Sequence, residues 1–82
     1  MSDYADQGAR VVWCLRRRAT NVRCLVFAQG IPVEARVMHD RDIVLTEVFE
    51  EEWMALDWAR VYGDRLRAQG WHDVPETPAH AV

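Results

Sequence analysis

The chain has 82 residues and a formal net charge of −3, half of its residues are hydrophobic, and all ten of its basic residues are arginine. This length allows one domain with a marginal core, a size at which oligomerisation often adds stability. The lack of lysine in the sequence excludes phosphate-loop, Schiff-base and general-base lysine chemistry, and the negative charge disfavours nucleic-acid binding that relies on overall charge.

The sequence shows no secretory signal and no membrane span. Its first residues are polar and acidic, and no window approaches the run of about 18 apolar residues that a membrane-spanning helix requires. We therefore expect a cytoplasmic protein without a membrane partner. Its two cysteines, Cys14 and Cys24, would remain thiols in that reducing compartment.

Four segments rich in strand-forming residues follow residues 1–9, which have no periodicity and are predicted to be flexible. Pro32 cannot donate a hydrogen bond to a central strand, so the third strand begins at or just after it. The polar run of residues 39–42 predicts a turn before the fourth strand. The predicted strands are residues 10–17, 22–29, 33–38 and 43–48.

Residues 50–69 predict an amphipathic helix. Its apolar stripe is Ala55, Trp58, Ala59, Tyr62 and Leu66. Acidic residues open the segment and arginines close it, as the helix dipole favours, and Gly70 suits the position after a helix. The pattern predicts an α+β fold: a four-stranded antiparallel meander (β-β-β-β-α) with one C-terminal amphipathic helix packed on one face. Residues 10–71 would form this single domain, and residues 72–82, with two prolines, a disordered tail.

Apolar residues on both faces of the predicted strands indicate a surface for self-association or for a protein partner. One helix covers only one face of a sheet, so apolar side chains on the other face would form a patch typical of binding surfaces. Trp53, opposite the apolar stripe of the helix, is a further candidate contact. The alternative is apolar residues scattered on a twisted sheet, which many monomers show. The residues predicted to bind a partner are Trp13, Cys14, Val26 and Trp53.

Catalytic, metal and cofactor sites have little support in the sequence. The only serine is Ser2, and both cysteines fall within strands, where thiols usually act as small hydrophobic groups. A turn centred near Ala19 would instead place these cysteines opposite each other, within range of a cross-strand disulfide. The His39, Asp40 and Asp42 run has no zinc-finger or calcium-loop spacing. We expect no cofactor, no metal and no enzymatic activity.

Arginines around the first predicted hairpin suggest a different function. The basic hairpin consists of Arg16, Arg17, Arg18 and Arg23. With Trp13 and Phe27 interleaved, it would offer charge and aromatic faces to a single-stranded nucleic acid. The β-β-β-β-α order resembles, in topology and without a shared motif, transcriptional-coactivator-type and whirly-type single-strand binders. A third hypothesis is an inhibitor or immunity-type protein that docks its acidic helix on a basic enzyme. A non-enzymatic interaction module remains the leading interpretation.

Overall fold

The computed structural model describes residues 8–75. Residues 1–7 and 76–82, which the sequence assigns to a flexible start and a disordered tail, lie outside the described part. The elements are β1 (Ala9–Arg17), β2 (Thr20–Phe27), β3 (Val33–His39), β4 (Asp42–Phe49), α1 (Glu52–Ala68) and β5 (His72–Asp73). The predicted α+β fold is confirmed: an antiparallel sheet carries one C-terminal helix packed against it.

The sheet has the strand order β4-β3-β2-β1-β5, with every pair antiparallel. The four long strands therefore form the predicted meander. The short β5 extends it, because Leu15 and Arg16 of β1 pair with Asp73 and His72. His72 and Asp73 were expected in the disordered tail, and the difference arises because Arg67 of α1 holds the carboxylate of Asp73 at 2.9 Å.

Helix α1 ends as its sequence predicts. Gly70 adopts a φ of +98°, and its N–H donates to the carbonyl of Arg67 at 3.1 Å. The N–H of Trp71 donates to the carbonyl of Leu66 at 3.1 Å, which completes the paired hydrogen bonds of a Schellman motif. The motif turns the chain back so that Trp71 is buried against the end of the core.

The core lies between α1 and one face of the sheet. Alternate residues of the three inner strands point toward the helix, where Ala55 and Ala59 allow close packing. Phe49 of β4, Trp58 and Tyr62 form a chain of aromatic contacts along the β4 side of α1. The fully or nearly fully buried apolar side chains facing the helix include Trp13, Leu15, Val22, Cys24, Val26, Val33, Ala35 and Val37.

A bulge in β1 changes the faces that the sequence predicts for that strand. Val11 pairs with Leu25 but Trp13 pairs with Cys24, so one residue, Val12, is extra on β1. Val11 therefore lies on the face away from the helix, and Trp13 lies beneath it. Without the bulge, strict alternation along the strand would place both side chains on the same face.

Gly63 gives the indole of Trp13 its place in the core. A Cβ atom on Gly63 would lie 2.8 Å from Trp13 Nε1, closer than side chains approach each other. The same Nε1–H donates a 2.7 Å hydrogen bond to the carbonyl of Ala59, one turn earlier on α1. Gly63 is therefore required for the close packing of Trp13 against α1. The sequence alone suggests only that a glycine is tolerated at this position in the helix.

Candidate interaction surface

The sheet face opposite α1, here called the open face, has no helix over it within residues 8–75. Strand register places its side chains in three cross-strand rows, each running from β1 or β2 to β4. The rows are Val11–Leu25–Arg36–Thr46, Cys14–Arg23–Met38–Ile43 and Phe27–Glu34–Val48. Each row contains one charged residue, Arg36, Arg23 or Glu34, so no row is apolar from one end to the other.

Charged side chains cover the middle of the open face. The Arg36 guanidinium lies 4.5 Å above the centre of the Phe27 ring, and its Nε and Nη2 donate to Glu34 Oε1 at 3.1 and 2.9 Å. Leu25, between Val11 and Arg36 in its row, is only 2 % exposed, although no helix or second sheet of residues 8–75 lies over this face. The expected continuous apolar patch is therefore interrupted at its centre, because long polar side chains fold over it.

Exposed apolar surface is concentrated instead on β4. Ile43, Val44 and Val48 are 52, 53 and 56 % exposed, and they belong to one eight-residue strand. Because β4 pairs only with β3 within the described residues, its outer edge leaves backbone N–H and C=O groups available. We call this strand with its outer edge the β4 edge.

The opposite edge of the sheet is partly covered: β5 pairs with Leu15 and Arg16 of β1, and residues 9–13 of β1, which include the bulge at Val12, have no strand on their outer side among residues 8–75. Its strand, β5, has only two residues, both polar and exposed. Arg67 donates two 2.9 Å hydrogen bonds to Asp73, and this bond is the first cause that lowers the pKa of the Asp73 carboxyl. A short charged strand is a poor template for another chain, and so is a strand edge interrupted by a bulge.

The four residues predicted to bind a partner do not form one surface. Trp13 and Val26, at 6 and 0 % exposure, lie beneath α1 and are inaccessible to a partner. Cys14 is partly exposed on the open face, and Trp53 is 64 % exposed on the first turn of α1. The predicted meander already makes β4 an edge strand, but the prediction placed the binding surface on the uncovered face of the sheet and not on its edge.

The basic hairpin also divides between two faces. Arg16 and Arg23 lie on the open face, whereas Arg17 lies on the helix side, 5.0 Å above the ring of Trp71, and donates to the Gln69 carbonyl at 2.9 Å. Arg18 occupies the turn with a φ of +59°. Of the aromatic groups that a nucleic-acid platform would need, Trp13 is buried and Phe27 is covered by a guanidinium.

The acidic residues of α1 pair largely within the protein. Arg60 lies 2.9 Å from Asp57 and 3.5 Å from Asp64, and Arg67 lies 2.9 Å from Asp64. The hydrogen bond to Asp57 is the main cause that raises the pKa of Arg60. A surface that neutralises its own charge gives little electrostatic attraction to a basic enzyme.

The two cysteines lie on opposite faces of the sheet. Cys24 pairs with Trp13 under the helix, whereas Cys14 pairs with Arg23 on the open face. The turn consists of Arg18 and Ala19 rather than being centred on Ala19, so the two cysteines are offset by one residue and no cross-strand disulfide forms. Burial raises the pKa of the Cys24 thiol to about 12. This thiol therefore stays protonated at neutral pH and is a poor nucleophile.

The turn between β3 and β4 has a structural explanation. Asp40 adopts a φ of +55°, its Oδ1 accepts a 3.2 Å hydrogen bond from the Asn21 N–H, and its own N–H donates to the Asn21 carbonyl at 2.8 Å. Among residues 8–75, no group of three or more histidine, cysteine or acidic side chains is placed to hold a metal ion. Within the same range, the helix is too short and too polar to cross a membrane.

Comparisons with protein-family models, with curated proteins and with solved structures found no significant match. Function is therefore inferred from the residues and their geometry.

Proposed function

We propose that this protein is a small, cytoplasmic, non-enzymatic interaction module that binds a protein chain through the β4 edge. The observation that carries this proposal is the exposure of Ile43, Val44 and Val48 on one edge strand. Large apolar side chains exposed together usually mark a binding site. The sequence predicts binding through the whole uncovered face of the sheet, whereas this proposal places binding at β4 and its outer edge.

Backbone chemistry indicates what kind of segment this surface would take. An eight-residue edge strand presents a row of donors and acceptors that an added β-strand satisfies, while alternate side chains supply apolar contact. Within β4, Ile43 and Val48 lie on the open face and Leu45 and Phe49 on the helix side, so an added strand would meet apolar groups on both faces. The predicted ligand is therefore an extended segment of protein.

Affinity capture with matched variants tests this function. Purified protein carrying Ile43→Arg or Val48→Arg is compared with wild type and with Ile31→Arg, which makes the same chemical change at a loop residue that is 91 % exposed. We expect both β4 variants to lose association with themselves or with a specific protein, and the loop variant to keep it. Equal association by all four proteins would contradict the proposal, and circular dichroism checks that each variant is folded.

A second candidate function, binding of single-stranded nucleic acid, is favoured by Arg23. This half-buried arginine lies in the open-face row that runs from Cys14 to Ile43 and makes no ion pair with any of residues 8–75, and Arg16 lies on the same face. Titration of a labelled oligonucleotide at low and moderate salt tests it, with Arg23→Gln as the variant. Absence of binding at low salt would exclude this function.

A further inference from the structure

We infer that the chain bound at the β4 edge is a second copy of this protein, whose own β4 pairs antiparallel with it across a two-fold axis perpendicular to the sheet. The inference rests on the proposed function and identifies its partner. The two five-stranded sheets would then form one continuous ten-stranded sheet. Dimerisation through equivalent surfaces is the commonest form of protein assembly, and it requires a surface that complements itself.

The register of β4 meets this requirement because of a bulge. Leu45 pairs with Val37 and Ile43 pairs with Met38, so Val44 is the extra residue. The bulge leaves Ile43, Thr46 and Val48 on the open face and Leu45 on the helix side. In an antiparallel pair, residues that lie opposite each other have their side chains on the same face of the sheet. Overlap of all eight residues with a second copy pairs residue 42 with residue 49, and in a strand without the bulge these two side chains would point to opposite faces.

With Val44 as the extra residue in each copy, every pair between the two strands matches in face. Thr46 lies on the axis opposite the partner's Thr46. The remaining pairs are Leu45 with the partner's Glu47, Ile43 with the partner's Val48, and Asp42 with the partner's Phe49. The pair of Ile43 with the partner's Val48 occurs twice on the open face and covers two of the three exposed apolar side chains of the strand.

The same register avoids like charges. Glu47 lies opposite Leu45 of the other strand, whereas a shift that centres the axis on residue 47 would place two Glu47 carboxylates opposite each other, which destabilises a strand pair. Thr46 on the axis gives a Thr–Thr pair, one of the favourable cross-strand combinations. The alignment in which all eight residues overlap is therefore also the one with the better side-chain pairs.

Charge complementarity at the strand ends supports a second copy over an unrelated strand. Arg41 precedes β4 and Glu50 follows it, and neither side chain has an ion pair within residues 8–75. In the two-fold arrangement Arg41 of each copy comes beside the partner's Glu50, so two opposite-charge contacts form. Burial of additional apolar surface would also relieve the marginal core of so small a domain.

Disulfide trapping at the axis tests the pairing directly. Thr46→Cys places two thiols in the same cross-strand pair, where Cα atoms about 5 Å apart allow a disulfide. Glu47→Cys is the matched control, because the Cα atoms of its two copies would lie about 8 Å apart on the diagonal between the strands, beyond disulfide range. Under mild oxidation we expect the Thr46→Cys protein to become a covalent dimer, and the control and wild type, with native Cys14 and Cys24, to remain uncrosslinked.

Charge reversal provides an independent test of register. Arg41→Glu and Glu50→Arg should each weaken the dimer by roughly three- to thirty-fold in sedimentation, and the double variant should restore it. The inference is overturned if the wild type is monomeric. It is also overturned if the wild type dimerises but Thr46→Cys does not crosslink the dimer and the double variant does not restore it. If Ile43→Arg still abolishes capture of another protein in that case, the proposed function stands. If Ile43→Arg changes no association, both fail.

Discussion

Replacing Gly63 with alanine should destabilise the protein, although alanine is the better helix former. Helix propensity alone favours alanine by about 1 kcal/mol. The new Cβ would, however, lie 2.8, 3.0 and 3.1 Å from three atoms of the Trp13 indole, and overpacking of this kind costs about 1–3 kcal/mol. Moving the ring would also stretch the buried 2.7 Å hydrogen bond to Ala59, and a buried donor left unsatisfied costs about 1–3 kcal/mol.

The balance of these effects is a loss of about 1–3 kcal/mol, or a fall in Tm of roughly 5–20 °C for a domain of this size. Urea and thermal denaturation followed by circular dichroism measure it, with Gly30→Ala as control because its Cβ would meet nothing within 4 Å. In a Trp13→Phe background, where the ring is smaller and has no donor, the cost of Gly63→Ala should largely disappear. A Gly63→Ala protein that is more stable than wild type would refute the reasoning.

Three further outcomes follow from the described contacts. Trp71→Ala should cost about 3–5 kcal/mol because this indole closes the core, whereas exposed Trp53→Ala should stay within about 0.5 kcal/mol, both by urea denaturation. With a pKa of about 12, only about one Cys24 thiol in 10⁴ is ionised at pH 8. Iodoacetamide should therefore leave Cys24 unmodified in the native protein and modify it in urea, and mass spectrometry measures the difference. Folding lowers the pKa of Asp73 below 3.8, so its stabilising contact with Arg67 exists above about pH 4 and is lost as the pH falls through the pKa of the folded protein. In Asp73→Asn, amide exchange in β5 should lose this pH dependence.

The four long strands and the helix could be predicted because their signals are local. Alternation of apolar residues, the break after Arg17, Pro32 and the Gly70 end of the helix each depend on a few neighbouring residues. The observed bounds of the strands and the helix differ from the predicted ones by one or two residues at most ends. This is the usual uncertainty at element ends, where fraying and caps decide the last residue.

Features set by distant residues could not be predicted in the same way. The bulge at Val12 determines which face of the sheet Trp13 occupies, and no local sequence pattern predicts the bulge. Strand β5 exists through its pairing with β1 and the ion pair from Arg67, whereas its own two residues have no strand signal. The interaction surface moved for this reason: Trp13 and Val26 were expected outside, but the register of the sheet places both under the helix.

Amide hydrogen exchange of β4 at increasing protein concentration tests the central claim most directly. If the β4 edge binds a second copy, the amides of residues 42–49 that do not bond β3 should become more protected as concentration rises, while the exposed outer face of α1 and strand β5 stay unchanged. Ile43→Arg should remove this dependence. Exchange in β4 that is independent of concentration and identical in the variant would contradict the claim that this edge is the docking surface.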